Sequence, residues 1–596
     1  MIKLSDYVFE YLADRGVTDV FLVSGGGIMH LCDSVGRNPR IRYIANNHEQ
    51  ACAIAAEAYA RVTNRIGVCL VTTGPGSANA LSGVVGAWFD SIPVLVISGQ
   101  VRVPLIADYS RHRQIGPQEI NILPMVRPVT KYAVTVTDPG TIRTELDTAI
   151  AAARGGRPGP VWIDIPLDVQ AAMIEEDATA RMPEPAASRE PGFDSAIRTI
   201  FEMLQESKRP VLVAGNGVRL AGAEKRLVRF VEEASLPVLL PIGGMDLVPE
   251  SHPAHMGSFG PVGRRSANFA LQNSDLMLCI GAGMSIAAIG FNTEGFAPKA
   301  KKILINVDRG EISKPNLAAD ISLRADAADA LDALLRHAGD RPFHAPTRWT
   351  EACSAWKVRY PAVDAAAHDE NGFVNSYAFV DRLSALLEEG DTVVTGNSLD
   401  ACSIYQAFRV KRDQRVLIPI NCGAMGWDLP AAVGAASARK GKRVILVTGD
   451  GSIQFNIQEL MTIRQYALPI KIFVFNNDGY ESIRATQSNY FEGRFVGSDR
   501  ASGIGNPDFE RLAAAYGFTY DRVQSNRSLE EVISRALASD GPSLAELILS
   551  PTQARTPKVS SFRREDGTLE SRPLEDMFPF LPREEIWRNM HLFDEP

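Results

Sequence analysis

Cysteine is scarce in this sequence, and what there is makes no pattern. The 596 residues hold seven (Cys32, Cys52, Cys69, Cys279, Cys353, Cys402 and Cys422), an odd number, scattered, without a C-x-x-C pair. Such usage argues against a disulfide framework and reads as reduced, mostly buried thiols in the cytoplasm. No apolar run reaches the roughly 18 residues that could span a bilayer, so no membrane partner is expected. The opening stretch, MIKLSDYVFEYLADRGV, lacks the basic start and unbroken apolar core of a secretory signal and carries Asp6, Glu10 and Asp14 in a helix-like pattern. Basic blocks are missing too, and the formal charge of −8 is mild for this length, so no nucleic-acid partner is expected.

What is present is ordinary globular material. Apolar residues make up 45% and charged residues 22%, and 596 residues are too many for one core, so three or four domains are expected. Up to about Gln170, short Val- and Ile-rich runs (VTDVFLVSG, IRYIANN, RIGVCLVTTG, IPVLVISGQ, GPVWIDIP) alternate with helical periodicity such as QACAIAAEAYARV. That is the pattern of a parallel sheet wrapped by helices. A polar, Pro-rich stretch, EEDATARMPEPAASREPGFD, reads as a linker. The pattern resumes with RPVLVAGNG, LPVLLPI, DLMLCIGAG and KKILINVD, breaks around GDRPFHAPTRW, and returns a third time with DTVVTGN, RVLIPINCGAMGW, RVILVTGD, KIFVFNN and PSLAELIL. The expected fold is α/β: doubly wound parallel-sheet domains over residues 1–175, 190–340 and 355–550, then an irregular C-terminal tail over 551–596.

One stretch carries chemistry. In VTGDGSIQFNIQELMTIRQYALPIKIFVFNNDGYESI an apolar run ends in Gly449-Asp450-Gly451, a helix-like segment follows, and a second run ends in Asn476-Asn477-Asp478-Gly479. Ligands in open α/β sheets sit beyond the carboxyl ends of the strands. Asp450, the amide oxygen of Asn477 and a backbone carbonyl near Gly479 would make a half-shell of hard oxygens suited to Mg²⁺, which completes its octahedron with water and phosphate. Gly451 would let the chain pass close to a phosphate, with the Ser452 amide and the next helix N-terminus facing the anion. Each element alone is commonly just a turn; the pairing, with 24 residues between Gly451 and Asn476, is the informative part.

That pairing resembles the G-D-G…N-N motif of thiamin-diphosphate (ThDP) enzymes. Further stretches resemble the acetolactate synthases and related decarboxylases, in the family's order: ANNHEQACAIAAEAYAR, TTGPGSANALSG, DSIPVLVISGQV, RPGPVWIDIPLDVQ and NCGAMGWDLPAAVGAA. The resemblance implies pyrimidine-binding, central and diphosphate-binding domains in that order, with ThDP and Mg²⁺ as cofactors. It makes Glu49 the carboxyl group that hydrogen-bonds the pyrimidine and promotes its imino form. Met425 becomes the apolar residue under the bent cofactor, and the Gly423 carbonyl the acceptor for its amino group. Gly396, Asn397 and Ser398 would touch the diphosphate beside Gly449. Gly25, Gly26 and Gly27 would bring backbone amides to the reacting carbon in a neighbouring subunit. Gln118 aligns with an active-site glutamine, although Pro117 stands in place of the usual phenylalanine. Tyr480 and Ile483 would line the substrate side, and His48 is read as a capping or packing residue with no catalytic role.

Acetolactate synthases carry FAD on the middle domain, held by an arginine soon after a glycine. The matching segment here, IGAGMSIAAIGFN, has Gly283 and Met284 at that place, which leaves FAD an open question weighted against binding. The tail, TPKVSS…DGTLESRPLEDMFPFL, resembles the extension of ThDP enzymes found with O-antigen and deoxysugar genes. There the best-known activity decarboxylates pyruvate and adds the acetyl unit to a nucleotide-linked keto-deoxysugar. The expected activity is thus a carboligase with a 2-oxo acid donor and a sugar-nucleotide acceptor. A plain acetolactate synthase or 2-oxo-acid decarboxylase is the alternative, and a catalytically silent regulatory subunit is another, which the intact Glu49, Met425, Asp450 and Asn477 argue against. The family implies a homo-oligomer, dimer or tetramer, with sites at subunit interfaces. Lys558, Arg563, Arg564 and Arg572 could let the tail meet an anionic acceptor, or the tail could be a strap between subunits.

Overall fold

The computed structural model describes residues 1–175, 190–369, 371–419 and 421–593. Most of the expected linker, residues 176–189, lies outside them. Three six-stranded sheets, each wholly parallel, form the body. The first takes its strands from Asp19–Leu22, Arg42–Ala45, Gly67–Val71, Val94–Gln100, Tyr132–Thr135 and Val161–Pro166. The third uses Thr392–Thr395, Arg415–Leu417, Val444–Gly449, Ile470–Asn476, Thr519–Val523 and Ser543–Ile548. Both have the spatial order second, first, third, fourth, sixth, fifth. The central sheet differs: counted from Pro210–Ala214, its order is third, second, first, fourth, fifth, sixth, the dinucleotide-binding arrangement.

The chain order of the domains is not their packing order. Helix Glu49–Thr63 of the first domain lies against helix Asp428–Arg439 of the third, and the two domains share one apolar core. Small residues make this possible. Cys52, Ala53, Ala55 and Ala56 face Ala431, Ala432, Gly434 and Ala435, all buried, and a Cβ on Gly434 would collide with the Ala55 carbonyl. A buried ionic knot closes the seam: Arg61 pairs with Glu57 and Asp90, and Glu57 also accepts the Trp427 indole N–H at 2.8 Å.

The segment expected as a second break carries helix Thr347–Arg359, whose Trp349 and Trp356 are buried in the central core. The tail is ordered by local pairing. Lys558–Val559 pairs with Met577–Phe578, Ser561–Arg563 with Leu569–Ser571, and helix Arg583–Met590 follows. It straps the central domain of its own chain: Asn268 donates to the Leu574 carbonyl at 3.0 Å, Gln272 to Glu575 at 2.7 Å and Trp356 to Asn589 at 2.9 Å. Within the tail, Arg564 pairs with Glu570 and Arg572 with Asp576. No helix among the described residues is long and apolar enough to cross a membrane.

Candidate active site

In a sheet of order second-first-third the connections diverge between the first and third strands, and the crevice opens beyond their carboxyl ends. In the third domain those ends run into Gly396-Asn397-Ser398 and Gly449-Asp450-Gly451-Ser452. The neighbouring strand Ile470–Asn476, in register with Gly449 opposite Phe475, adds Asn477 and Gly479. Most of the third-domain candidates thus converge on one crevice.

Asp450 is buried at its centre. One carboxylate oxygen accepts the Gly451 N–H at 2.8 Å; the other accepts Gly479 N–H at 3.0 Å and the Asn506 amide at 2.7 Å. Burial pushes its carboxyl up, and those hydrogen bonds pull it partly back. The Asn477 amide oxygen is met by Arg484 at 3.5 Å, too long to occupy its lone pairs. Arg484 holds the loop instead, donating at 2.8 Å to the carbonyls of both Asn477 and Asp478. Gly479 must be glycine: its φ is +128° and a Cβ would sit 2.5 Å from the Ser498 carbonyl. A buried carboxylate beside an uncommitted amide oxygen fits Mg²⁺. Among the described residues no trio of His, Cys, Asp or Glu could hold a metal.

Gly451 also needs its hydrogen, because a Cβ there would strike the Tyr480 ring and lie 3.3 Å from the Met425 methyl. This brings Met425 and Tyr480 to the Gly449–Ser452 turn. The Gly423 carbonyl accepts from Asn397 at 2.6 Å, tying the 396–398 turn to the Met425 loop. Beneath Gly396 lie two buried acids: a Cβ would come within 2.8 Å of Asp400 and 2.6 Å of Asp428. Burial raises both carboxyls, and Asp428 raises Asp400 further. Ile483 points outward and is exposed.

One expectation is corrected. The turn after Ser452 is a 3₁₀ segment, Ile453–Asn456, and an α-helix begins only at Glu459. The α-helix N-terminus at this crevice belongs to Leu399–Ala407, directly after Ser398. The Ser452 hydroxyl accepts from the Gly426 N–H at 3.0 Å, fixing the Met425 loop.

The first-domain candidates form a second group at the equivalent crevice. Gly25 and Gly27 pack on Thr72 and Thr73, where a Cβ would come within 2.5 and 2.9 Å, while Gly26 is open. Glu49 opens its helix, capped by His48, whose ring nitrogen accepts the Gln50 N–H at 3.1 Å. The Glu49 carboxylate accepts from Asn79 at 3.0 Å, and its other oxygen lies 3.5 Å from a Cβ built on Gly76. Gln118, with φ +62°, turns its carbonyl toward Thr73 Oγ1 at 3.3 Å. Among the described residues no hydrogen bond or ion pair runs directly from this group to the Asp450 group. Asn79, Arg484 and Asn506 carry no mark in the sequence that would single them out.

A cavity of about 1200 Å³ occupies the central sheet's switch point, at Gly215–Gly217 and Gly281–Gly283, and is closed on one side by Asp90, Arg157 and Asn421. Its polar wall is committed internally. Arg157 pairs with Asp308 at 3.0 Å and Glu311 at 2.7 Å, and Glu311 fills the space beside Gly283, 2.9 Å from a Cβ there.

Three family descriptions match in order: the thiamine pyrophosphate enzyme N-terminal TPP-binding domain over residues 2–125, the central domain over 197–334 and the C-terminal TPP-binding domain over 400–547. The chain is 31% identical to an Escherichia coli acetolactate synthase isozyme 1 large subunit over 93% of its own length and 95% of the relative's. It is 32% identical to a probable acetolactate synthase large subunit of Methanocaldococcus jannaschii over 93% of each chain. It is 33% identical to a chloroplastic acetolactate synthase of Nicotiana tabacum over 94% and 84%. These relatives are acetolactate synthases, whereas the tail pointed to carboligases of O-antigen and deoxysugar clusters. The chain belongs to the thiamine pyrophosphate enzymes, as a decarboxylating carboligase of the acetolactate synthase/pyruvate decarboxylase superfamily.

Proposed function

We propose that the protein works as an acetolactate-synthase-type carboligase: it decarboxylates a 2-oxo acid, with pyruvate the simplest donor, and joins the remaining acyl unit to the carbonyl of a second 2-oxo acid. The observation that carries this reading is the Asp450–Asn477–Gly479 cradle with Met425 and Tyr480 against Gly451. Bound there, ThDP would supply the nucleophilic carbon and the electron sink that decarboxylation of a 2-oxo acid needs.

The chain's own residues do the rest. Asp450, Asn477 and the Gly479 carbonyl would hold Mg²⁺, and Gly396–Ser398, Gly449 and Ser452 would hold the diphosphate, with the N-terminus of helix Leu399–Ala407 behind it. Met425 and the Gly423 carbonyl would set the ring above the turn. Glu49, kept in place by Asn79, would hold and move the proton at the pyrimidine. Gly26 and Gln118 border the same crevice. Following the resemblance to the family, we assign each complete site to two copies, so a homodimer is the smallest working unit. A cytoplasmic location is consistent with the reduced thiols.

FAD is not part of this proposal, since Glu311 stands beside Gly283 where the family's arginine is expected. The sugar-nucleotide acceptor, suggested by the tail's resemblance, is not carried forward either, because the relatives found are acetolactate synthases. Mass spectrometry of products from enzyme, ThDP, Mg²⁺ and pyruvate tests the proposal. Acetolactate is the expected product. Acetaldehyde alone would reduce the protein to a decarboxylase, and product formed only when a keto-sugar nucleotide is added would reinstate the sugar acceptor.

A further inference from the structure

Glu481, the first residue of helix Glu481–Tyr490, is buried, and its carboxylate is turned toward the Gly396–Ser398 turn: one oxygen meets the Ser398 hydroxyl at 3.4 Å. The proposed function gives that turn to a diphosphate. A carboxylate beside it works against binding, because poorly solvated surroundings magnify the repulsion between like charges. The same Glu481 oxygen lies 3.5 Å from Nε of Arg555, a residue of the tail. That nitrogen is buried and makes no hydrogen bond among the described residues, so charge rather than a directed bond joins the two groups. Lys558 stands within the field of both, which leaves one carboxylate between two cations.

The head of the tail is seated for this contact. Arg484, which holds the Asn477 and Asp478 carbonyls, also donates to the Pro551 carbonyl at 3.1 Å. The Ser376 N–H donates to the Gln553 side chain at 3.2 Å, and the Thr556 N–H to the Tyr377 hydroxyl at 2.9 Å. Gln406 donates to the Pro557 carbonyl at 2.6 Å, and it belongs to helix Leu399–Ala407, whose N-terminus follows Ser398. Residues 551–557 are therefore pinned to the Asn477–Gly479 loop at one end and to the helix behind the Ser398 turn at the other, with Arg555 between. The contacts that strap the central domain, at Leu574, Glu575 and Asn589, come later in the tail.

We propose that Arg555 is a positioning residue of the cofactor site: it neutralises Glu481, so that the Gly396–Ser398 turn accepts the diphosphate of ThDP instead of repelling it. The inference rests on the assignment of that turn to the diphosphate and adds to it a residue from the tail. The test is calorimetric titration of the full-length protein with ThDP in Mg²⁺, beside thiamine, which has the same rings and no diphosphate. In Arg555→Ala the Kd for ThDP should rise about tenfold while that for thiamine stays put. Arg555→Lys should keep much of the parental affinity. Adding Glu481→Gln to Arg555→Ala should bring ThDP binding back, because the charge to be offset is then gone. Glu481→Gln alone leaves every anchor of residues 551–557 in place, and it should bind ThDP at least as tightly as the parent. Parental affinity in Arg555→Ala, a loss that Glu481→Gln does not recover, or weaker ThDP binding in Glu481→Gln alone would each overturn the assignment. No ThDP binding by the parent protein would overturn the cofactor reading, and this assignment with it.

Discussion

A carboxylate whose two oxygens are already held by Gly451, Gly479 and Asn506 has one orientation, so under the proposed function Asp450 would meet Mg²⁺ without reorganising. Glu49 is less confined: among the described residues, Asn79 is the side chain hydrogen-bonded to it. Glu49→Gln keeps that bond but gives up the ionisable proton, so turnover should fall about 10²- to 10⁴-fold while ThDP still binds. Pre-steady-state decarboxylation alongside a ThDP titration checks both halves, and near-normal turnover would remove Glu49 from the chemistry. A different acid reports on stability. Asp164 is fully buried in the first sheet, with hydrogen bonds from Ser98, Gln100 and Thr135, and burial pushes its carboxyl up to about 7. Unfolded, it would titrate near 3.8. Between these values the native state binds a proton that the unfolded chain does not, so stability is fully present below pH 4 and falls as pH rises toward 7. In Asp164→Asn the loss of Tm between pH 5 and pH 8 should be visibly smaller than in the parent; identical slopes would mean Asp164 does not titrate there.

Elements are held by what they lack as much as by what they bear. The contact between helices Glu49–Thr63 and Asp428–Arg439 depends on Gly434 having no side chain against the Ala55 carbonyl. Gly434→Ala should destabilise the fold by about 1–3 kcal/mol through overpacking, despite alanine's better helix propensity, as read by urea denaturation. A stabilised variant would mean the seam can open at no cost. The same scale shows what sequence reading can find. The interior strands are doubly buried, and their unbroken Val, Ile and Leu runs announce them. Tyr132–Thr135, His255–Ser258, Ile321–Arg324 and Thr519–Val523 were not expected, and all four lie at sheet edges; three are partly exposed and their apolar signal thins, while His255–Ser258 is buried but carries only one large apolar residue, Met256. The glycine-bounded loops at the switch points were legible because their geometry demands glycine. Asn79, Arg484 and Asn506 were not, because a polar residue that buttresses a loop from a distance has no spacing rule to betray it.

For the whole molecule the decisive question is whether one chain can complete a site. If Glu49 of one copy serves Asp450 of another, two dead variants can rescue each other. Glu49→Gln and Asp450→Ala, each inactive alone and the latter unable to bind ThDP through Mg²⁺, should recover about a quarter of the parental activity when their chains are mixed at random, because half the dimers are mixed and each mixed dimer has one intact site. No recovery in proven mixed dimers would place the whole site within a single chain.

The core shared by the first and third domains also sets a schedule for synthesis. One apolar face of helix Glu49–Thr63 packs on helix Asp428–Arg439, which begins some 365 residues after it ends. At a translation rate of about 5–20 residues per second, that face waits roughly 20–70 s for its partner while the central domain folds in between. Over that interval the nascent chain carries a half-built seam, which is where a chaperone, or an unwanted neighbour on the same messenger, would find it.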